Sequence, residues 1–364
     1  MDKLRVVLLF GGRSSEHSIS CATAGGVLRA IDRDRFEVIP VGITRDGAVV
    51  LEADDPERFA LDPQHLPEVH DNGTRVHWPE SAASRELTVA TAGGETSSLG
   101  DVDVVFPILH GRFGEDGTVQ GLFELIGLPY VGNGVLASAM GMDKHVTKTV
   151  LEGAGIAVAP WVTLTRAAWD RDRELWERRV RGLGLPAFVK PARGGSSVGV
   201  SRVADWGDLD AALDVAFAED RTVLVEAAVA GREIECGVLE SRDGGAPRVS
   251  VAGEIVLHDR EFYDFDGKYL DAPGVELVCP ADLGDGESAE LQRVAQRAFE
   301  AIGGEGLARV DVFFDGAGFV VNEVNTLPGF TPISMFPTCW MNSGLTYPDL
   351  ITELIELGVA RGSR

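Results

Sequence analysis

Near the C-terminal end, the run VVNEVNTLPGFTPIS (320–334) alternates as a strand does and then breaks at Pro328-Gly329 into a loop that carries a serine. Just upstream stands LARVDVFFDGAG, also rich in Val and Phe, and Gly316-Ala317-Gly318 between the two runs reads as a three-residue hairpin loop. With Asp315 facing Phe319 across that loop, Asp311 lies opposite Glu323 and Arg309 opposite Asn325. Side chains alternate along a strand, so these four polar groups share one face and one end of the hairpin, while Val310, Val312 and Val324 turn toward a core. Two carboxylates and an amide oxygen make a hard-oxygen set of the kind that Mg²⁺ accepts together with phosphate oxygens. An isolated Asp/Glu pair would be an ordinary solvated sheet face. The guanidinium beside this pair and the glycine-containing loop after it favour a site.

Two further stretches carry groups of the same chemistry. In FVKPARGGSSVGVSRV (188–203), Lys190 ends a strand, and Gly194, Gly195, Ser196, Ser197 and Gly199 follow. Exposed amides in such a loop form an anion-binding concavity, with the lysine as a point charge beside it; a flexible hairpin loop would look the same. In VLVEAAVAGREIE, Glu226 closes a strand and Glu233 follows a connection. These carboxylates could accept hydrogen bonds from a base amino group and ribose hydroxyls, or could simply be solvated. Lysine is scarce, at positions 3, 144, 148, 190 and 268 only, so its placement is informative.

The elements that must hold these groups are of mixed type. RVVLLFGG reads as a buried strand ending in glycines, followed by a helix in SSEHSISCATAGGVLRAI and a strand in FEVIPVGIT. A strand that passes through Gly-Gly into a helix N-terminus is a good place to hold a charged small molecule. Residues 52–100 are polar, rich in Pro, Gly and Ser, and read as hairpin or loop. In EDGTVQGLFELIGLPYVG, Val119, Leu122, Phe123 and Ile126 fall at helical spacing, ended by Gly127 and Pro129. Asp143 is a good N-cap for the next helix, which sets a boundary near residue 142. A charged helix is expected around 168–182, another over WGDLDAALDVAFAE, a third with Leu291, Val294, Ala298 and Ile302 inward, and a last one from Pro348. The predicted units are residues 1–142, 143–230 and 231–364, with a lid-like stretch, HDREFYDFDGKYLDAPG, at about 258–275.

Bulk properties exclude several classes. The net charge of −24 and pI near 4.6 disfavour nucleic acid and anionic lipid as principal partners. No run of eighteen apolar residues is present, so no membrane segment is expected. Cys21, Cys236, Cys279 and Cys339 are far apart in sequence with no CxxC pair, which fits scattered thiols in a reducing cytoplasm.

Taken in order, Lys144, Lys190 before its Gly/Ser loop, Glu226, Glu233, and Arg309-x-Asp311 facing Glu323-x-Asn325 resemble the ATP-grasp enzymes. Within them, GGRSSEHSIS, LHGRFGEDGTVQG, GSSVGV, EFYDFDGKY and NEVNTLPGFTPISMFP resemble the signature segments of the D-alanine–D-alanine ligase family, across essentially the whole chain. The resemblance implies a three-domain ATP-grasp architecture of α/β and α+β type with an N-terminal parallel-sheet domain. It also implies joining of two D-alanines through a D-alanyl phosphate, with ATP and two Mg²⁺ (or Mn²⁺), in the cytoplasm, by a homodimer. At the matching positions, Glu16 and His110 would engage the first D-alanine, and Glu16, Ser196 and Tyr269 would form a hydrogen-bonded triad. Lys144 and Lys190 would hold phosphates; Glu226, Val229, Glu233 and Phe262 would line the adenosine pocket. Asp311, Glu323 and Asn325 would ligate the metals, Lys268 would reach the transferred phosphate, and Arg309 with the Gly329 N–H would stabilise the oxyanion. Ser334 would hold the second substrate's carboxylate, and Met335 would wall that pocket. Two positions depart from the family pattern: Ala227, often lysine, and Phe265, often tyrosine. Relatives that use D-lactate or D-serine are the alternative, and Tyr269 favours D-alanine.

Overall fold

The first strand is apolar on both faces because both faces are covered. The computed structural model describes residues 3–62, 64–258 and 274–362. In it β1 (Leu4–Gly11) lies between parallel neighbours β2 (Phe36–Ile43) and β7 (Val104–Pro107), and antiparallel β3 (Val49–Leu51) closes one edge. Val6, Leu8 and Phe10 enter one core, with α1 (His17–Ala30) and residues from 330–355; Val7 and Leu9 enter a second, with Val76, Leu87 and Phe123. Residues 52–100, expected from sequence as hairpin or loop, are loop as far as 74 apart from one 3-10 turn (Pro56–Phe59), among the described residues, and then form two successive hairpins that make a three-stranded antiparallel sheet: β4 (Arg75–His77), β5 (Glu86–Ala90) and β6 (Thr96–Asp101). Its strands are short and mostly polar, which hides the alternation. Helix α2 (Thr118–Ile126) ends at Gly127 in the left-handed region. Val119, Phe123 and Ile126 are buried as expected, but Leu122 is 37% exposed, one position round the helix from the packed face.

Helix α3 (Val135–Met142) leads into α4 (Lys144–Gly153), and Asp143 caps α4 by accepting from the amides of His145 and Val146. The middle sheet is antiparallel in the order β10 (Ser201–Val203), β9 (Ala187–Pro191), β11 (Thr222–Ala227), β8 (Trp161–Thr165). The charged stretch is two helices rather than one, α5 (Arg166–Arg171) and α6 (Arg173–Arg181). Asp172 interrupts it, accepting from the Leu175 amide as the N-cap of α6. Helix α7 (Leu209–Glu219) covers this sheet with Leu209, Leu213 and Ala216.

The third sheet runs β14 (Val275–Val278), β13 (Arg248–Leu257), β12 (Arg232–Leu239), β15 (Leu307–Phe314), β16 (Phe319–Asn325), all antiparallel. Helix α8 (Asp285–Ala301) packs on it through Leu291, Ala298 and adjoining Ile302. Asp311 pairs with Glu323 and Arg309 with Asn325, as expected, although the loop does not have the expected register. Phe314, not Asp315, faces Phe319, and Asp315 caps the turn by accepting from the amides of Ala317 and Gly318. A bulge between Asp311/Glu323 and Val312/Val321 inserts Asn322 and restores the pairing. Helices α9 (Met335–Asn342) and α10 (Tyr347–Arg361) finish the chain, with Leu350, Ile351, Leu354 and Ile355 fully buried.

Gly237 on β12 lets α9 lie close: a Cβ there would run into the Trp340 indole and meet Phe336 at 3.1 Å. Gly237→Ala should therefore cost about 1–3 kcal/mol, as overpacking does. Chemical denaturation checks this, and an unchanged midpoint would mean that α9 is free to move away.

Candidate functional site

Strands of the middle and third sheets, with the start of α1, border a cleft of about 780 Å³. At its N-terminal wall, Gly11 and Gly12 take positive φ, and the turn beyond them is held by His17. Its Nδ1–H donates to the Gly12 carbonyl at 2.6 Å, and its Nε2 accepts from the Val69 amide at 3.0 Å. Burial lowers the His17 pKa, consistent with this neutral, two-bond ring. The turn delivers Glu16 to the start of α1. Ser196 donates to Glu16 at 2.5 Å, across 180 residues of sequence. Gly195 and Gly111 leave room for this carboxylate: a Cβ on either would lie within 3.0 Å of Glu16 Oε2 and force it to shift. Ser196 and Ser197 both take positive φ, 50° and 59°. Such backbone costs of order 1–3 kcal/mol per residue and persists only where its surroundings impose it.

At the opposite wall, Arg309 is pinned by acids. Its guanidinium donates to both oxygens of Asp311 at 2.6 and 2.7 Å, and lies 3.0 Å from Glu235. Asp311 and Glu235 face each other directly across β15 and β12, and both are buried. Arg309 between them offsets a repulsion that would otherwise protonate one. These neighbours hold its pKa well above the ordinary value despite burial. Glu323 adds a third carboxylate, 3.6 Å from Lys144. Asn325 accepts from the Leu327 amide, which starts the turn toward Gly329. Among the described residues, no group of three His, Cys, Asp or Glu is drawn together to hold a metal by itself. The set at hand is two carboxylates and an amide, hard oxygens suited to Mg²⁺ that takes its remaining ligands from phosphate and water.

The third wall holds cations. Lys144 donates to the Gly194 carbonyl at 2.9 Å, tying α4 to the Gly/Ser loop. Glu226 is buried between two lysines: Lys190 at 2.5 Å from one oxygen and Lys148 at 3.0 Å from the other. Desolvation alone would raise the Glu226 pKa; the two ammonium groups reverse this and hold it below the ordinary value. Burial pulls Lys148 down. Each Glu226 oxygen, expected from sequence as an acceptor for adenosine, thus also meets a lysine within the protein. Val229 and Glu233 line the same end.

The remaining expected residues divide. Gly329, Ser334 and Met335 lie together at the mouth: Ser334 Oγ lies 2.7 Å from the Thr331 hydroxyl and within 3.3 Å of where a Gly329 Cβ would stand. His110 is buried, close enough to Glu16 and Arg309 to feel both charges. Its Nε2 has no hydrogen-bonding partner among the described residues, and burial lowers its pKa. Phe262, Phe265, Lys268 and Tyr269 lie outside the described residues.

Sequence reasoning missed three groups. Glu235 shares a strand face with Glu233, two residues on, and that alternation could have found it. Lys148 stands four residues after Lys144, one helical turn along. Glu115, inside LHGRFGEDGTVQG, lines the cleft and accepts from the Gly111 amide at 2.6 Å. Burial, then the nearby Glu16 charge, push its carboxyl up to about 8.

A cleft of this charge pattern between two antiparallel sheets, beside a parallel-sheet domain, defines an ATP-grasp protein. Residues 5–133 match the family model described as D-ala D-ala ligase N-terminus, and 150–356 the one described as D-ala D-ala ligase C-terminus. D-alanine–D-alanine ligases of Kineococcus radiotolerans and Paenarthrobacter aurescens are 53% and 50% identical to the chain, over 99% and 98% of it and 97% and 95% of their own lengths. Among solved structures, the D-alanine-D-alanine ligase of Coxiella burnetii aligns at TM-score 0.81 with 34% identity, over 99% of this chain and 96% of its own. The VanG D-Ala:D-Ser ligase of Enterococcus faecalis aligns at 0.83 with 33% identity, over 98% and 100%. The chain belongs to the D-alanine–D-alanine ligase family.

Two outcomes follow. Glu226→Gln removes the carboxylate that two largely buried lysines share, so unfolding free energy should fall, by up to the roughly 3–5 kcal/mol typical of a broken buried pair. The double variant Lys148→Met/Glu226→Gln, which leaves one unpaired cation instead of two, should recover part of that loss in urea unfolding; equal loss would mean that the charge cluster is not the cause. For Glu115, a folded-state pKa raised to about 8 means that the folded chain keeps a proton the unfolded chain releases near 4.5. Its contribution to stability is therefore lost as pH rises from about 4.5 to about 8. Glu115→Gln, melted in parallel with the parent without divalent ions, should match it near pH 4.5 and exceed it at pH 8.5; a constant difference would refute the shift.

Proposed function

We propose that the protein joins two D-alanine molecules into D-alanyl-D-alanine, through a D-alanyl phosphate, with ATP converted to ADP and phosphate, as a step in peptidoglycan precursor synthesis. The observation that carries this reading is the convergence of Glu16, Ser196, Lys144, Arg309, Asp311, Glu323 and Ser334 on one cleft, in a chain that belongs to this family.

A carboxylate resists attack by an amine, and phosphorylation gives it a leaving group. Phosphoryl transfer is largely positioning and charge neutralisation. Lys144 and Lys190 serve the phosphates, and Glu226, Val229 and Glu233 the adenosine end. Asp311, Glu323 and Asn325 would hold the two Mg²⁺ (or Mn²⁺), which supply neutralisation of phosphate charge. Glu16, oriented by Ser196, receives the ammonium of the first D-alanine. Ser334 receives the carboxylate of the second beside Met335, whose amine then attacks the acyl phosphate. Arg309 has five N–H donors, of which Asp311 and Glu235 use only part, and with the Gly329 amide it serves the oxyanion that develops. Loss of one such donor typically costs about 10²–10³ in rate. Tyr269 and Lys268, from the stretch at about 258–275, complete the set as the family pattern implies. The units 1–142, 143–230 and 231–364, cytoplasmic location and a homodimer belong to the same reading.

A second reading, a D-serine ligase, is favoured by the likeness to the Enterococcus enzyme, which at TM-score 0.83 is as good as that to the Coxiella one. The full-length relatives near 50% identity favour D-alanine. Phosphate release with D-alanine alone, and with D-serine or D-lactate added, separates the two. The expected result is full turnover with D-alanine alone; turnover only with a second acid would reverse the order. Asp311→Asn and Glu323→Gln should each reduce Mg²⁺-dependent, D-alanine-dependent phosphate release by at least about 10², while circular dichroism shows the parent fold at the assay temperature. Survival of activity in either variant would remove the metal assignment.

A further inference from the structure

Two cysteines that the catalytic reading leaves unused lie against each other. The Cys279 and Cys339 sulfurs are 3.8 Å apart, although 60 residues separate them in sequence. Cys279 follows the end of β14 and is partly exposed; Cys339 lies in the second turn of α9 and is buried. Each thiol also sits against a backbone carbonyl, Cys279 against Ala252 and Cys339 against Glu235. Cys21 and Cys236 are buried elsewhere, and burial pushes the thiol of each up, Cys21 to about 12. The Cys339 contact instead pulls Cys279 below the ordinary thiol value, toward the reactive thiolate. Among the described residues, no group of three His, Cys, Asp or Glu that could hold a metal includes the pair.

We propose that Cys279 and Cys339 form a reversible disulfide, a redox modification site that turns the enzyme down under hydroperoxide stress. The Cys279 thiolate attacks one oxygen of a hydroperoxide; an S–O bond forms, the O–O bond breaks, and water or an alcohol leaves. The Cys339 sulfur then attacks Cys279, forming S–S and breaking S–O, and its proton departs with the hydroxide as a second water. Two electrons pass from the thiols to the peroxide, and an external dithiol reverses the bond by exchange.

The link reaches the cleft from both of its ends. A disulfide needs sulfurs about 2.05 Å apart, so the two side chains must close from the observed 3.8 Å, and the bond then ties the end of β14 to α9. Met335 begins the helix that carries Cys339, and Ser334 caps it; both line the cleft. Val275 and Leu277 on β14 line it from the other side. The carbonyl against Cys339 belongs to Glu235, whose carboxylate holds Arg309 at 3.0 Å. A displacement of about 1 Å in such a site can cost about 10² in rate.

The test oxidises the full-length, reduced enzyme with hydrogen peroxide and follows two readouts. Peptide mapping without reductant should find one linked pair, Cys279 with Cys339, and turnover should fall by about tenfold or more and return with dithiothreitol. Cys279→Ser, which leaves the cleft lining intact, should keep its turnover under the same treatment. No 279–339 link, a linked enzyme of full activity, or equal inactivation of Cys279→Ser would each overturn the proposal. The link is read by mass, so its failure is distinguishable from an error in the substrate assignment.

Discussion

The structure depends on how a chain with net charge −24 tolerates eight carboxylates around one cavity. Glu16, Glu115, Glu226, Glu233, Glu235, Glu254, Asp311 and Glu323 all border the cleft. Taking charges out of water costs several kcal/mol each unless partners repay it. The answer is placement of scarce cations: Lys144, Lys148 and Lys190 account for three of the five lysines, and all three pair with cleft carboxylates. Arg309 serves two more acids. Glu16 is held by a serine hydroxyl between two glycines, and burial with the nearby Glu16 charge pushes the Glu115 carboxyl up to about 8.

That arrangement accounts for the division of labour among the domains. The parallel-sheet unit offers Glu16 at a helix start, the middle sheet offers lysines and the Ser196 loop, and the third sheet offers the Arg309–Asp311–Glu235 cluster. Each wall is incomplete in charge or hydrogen bonding without another: Ser196 reaches Glu16, and Lys144 reaches both Gly194 and Glu323. A polyanionic substrate with its cations fits such a cavity because it exchanges one set of counter-ions for another. The strained Ser196–Ser197 backbone belongs to this picture, since it is kept where the hydroxyl must meet Glu16.

Much of this was legible in the sequence. The Asp311–Glu323 and Arg309–Asn325 pairings follow from strand alternation, although they survive only because the Asn322 bulge cancels a one-residue error in the loop register. The Asp143 cap and the inward face of the last helix were equally plain, since caps and helical periodicity are local. What stayed hidden is what depends on distant partners. Nothing near Lys148 in sequence signals that Glu226 will lie 3.0 Å away, and Glu235 looks like any strand carboxylate until β15 lies beside it. The sheet of residues 75–101 was legible only as hairpin or loop because its strands are short and polar, and Leu122 was misassigned because one helical position separates its packed face from solvent. The 3.8 Å approach of Cys279 to Cys339 joins a strand end to a helix and leaves no local trace.

The central claim is that the oxygens of Asp311, Glu323 and Asn325 bind divalent cations jointly with a nucleotide triphosphate, while Arg309 balances them otherwise. Its most direct test is a Mn²⁺ titration followed by electron paramagnetic resonance, with and without a non-hydrolysable ATP analogue. The account predicts weak, non-stoichiometric binding to the protein alone and two tightly held ions per chain once the nucleotide is present. Mn²⁺ binding that ignores the nucleotide, or none in its presence, would contradict it.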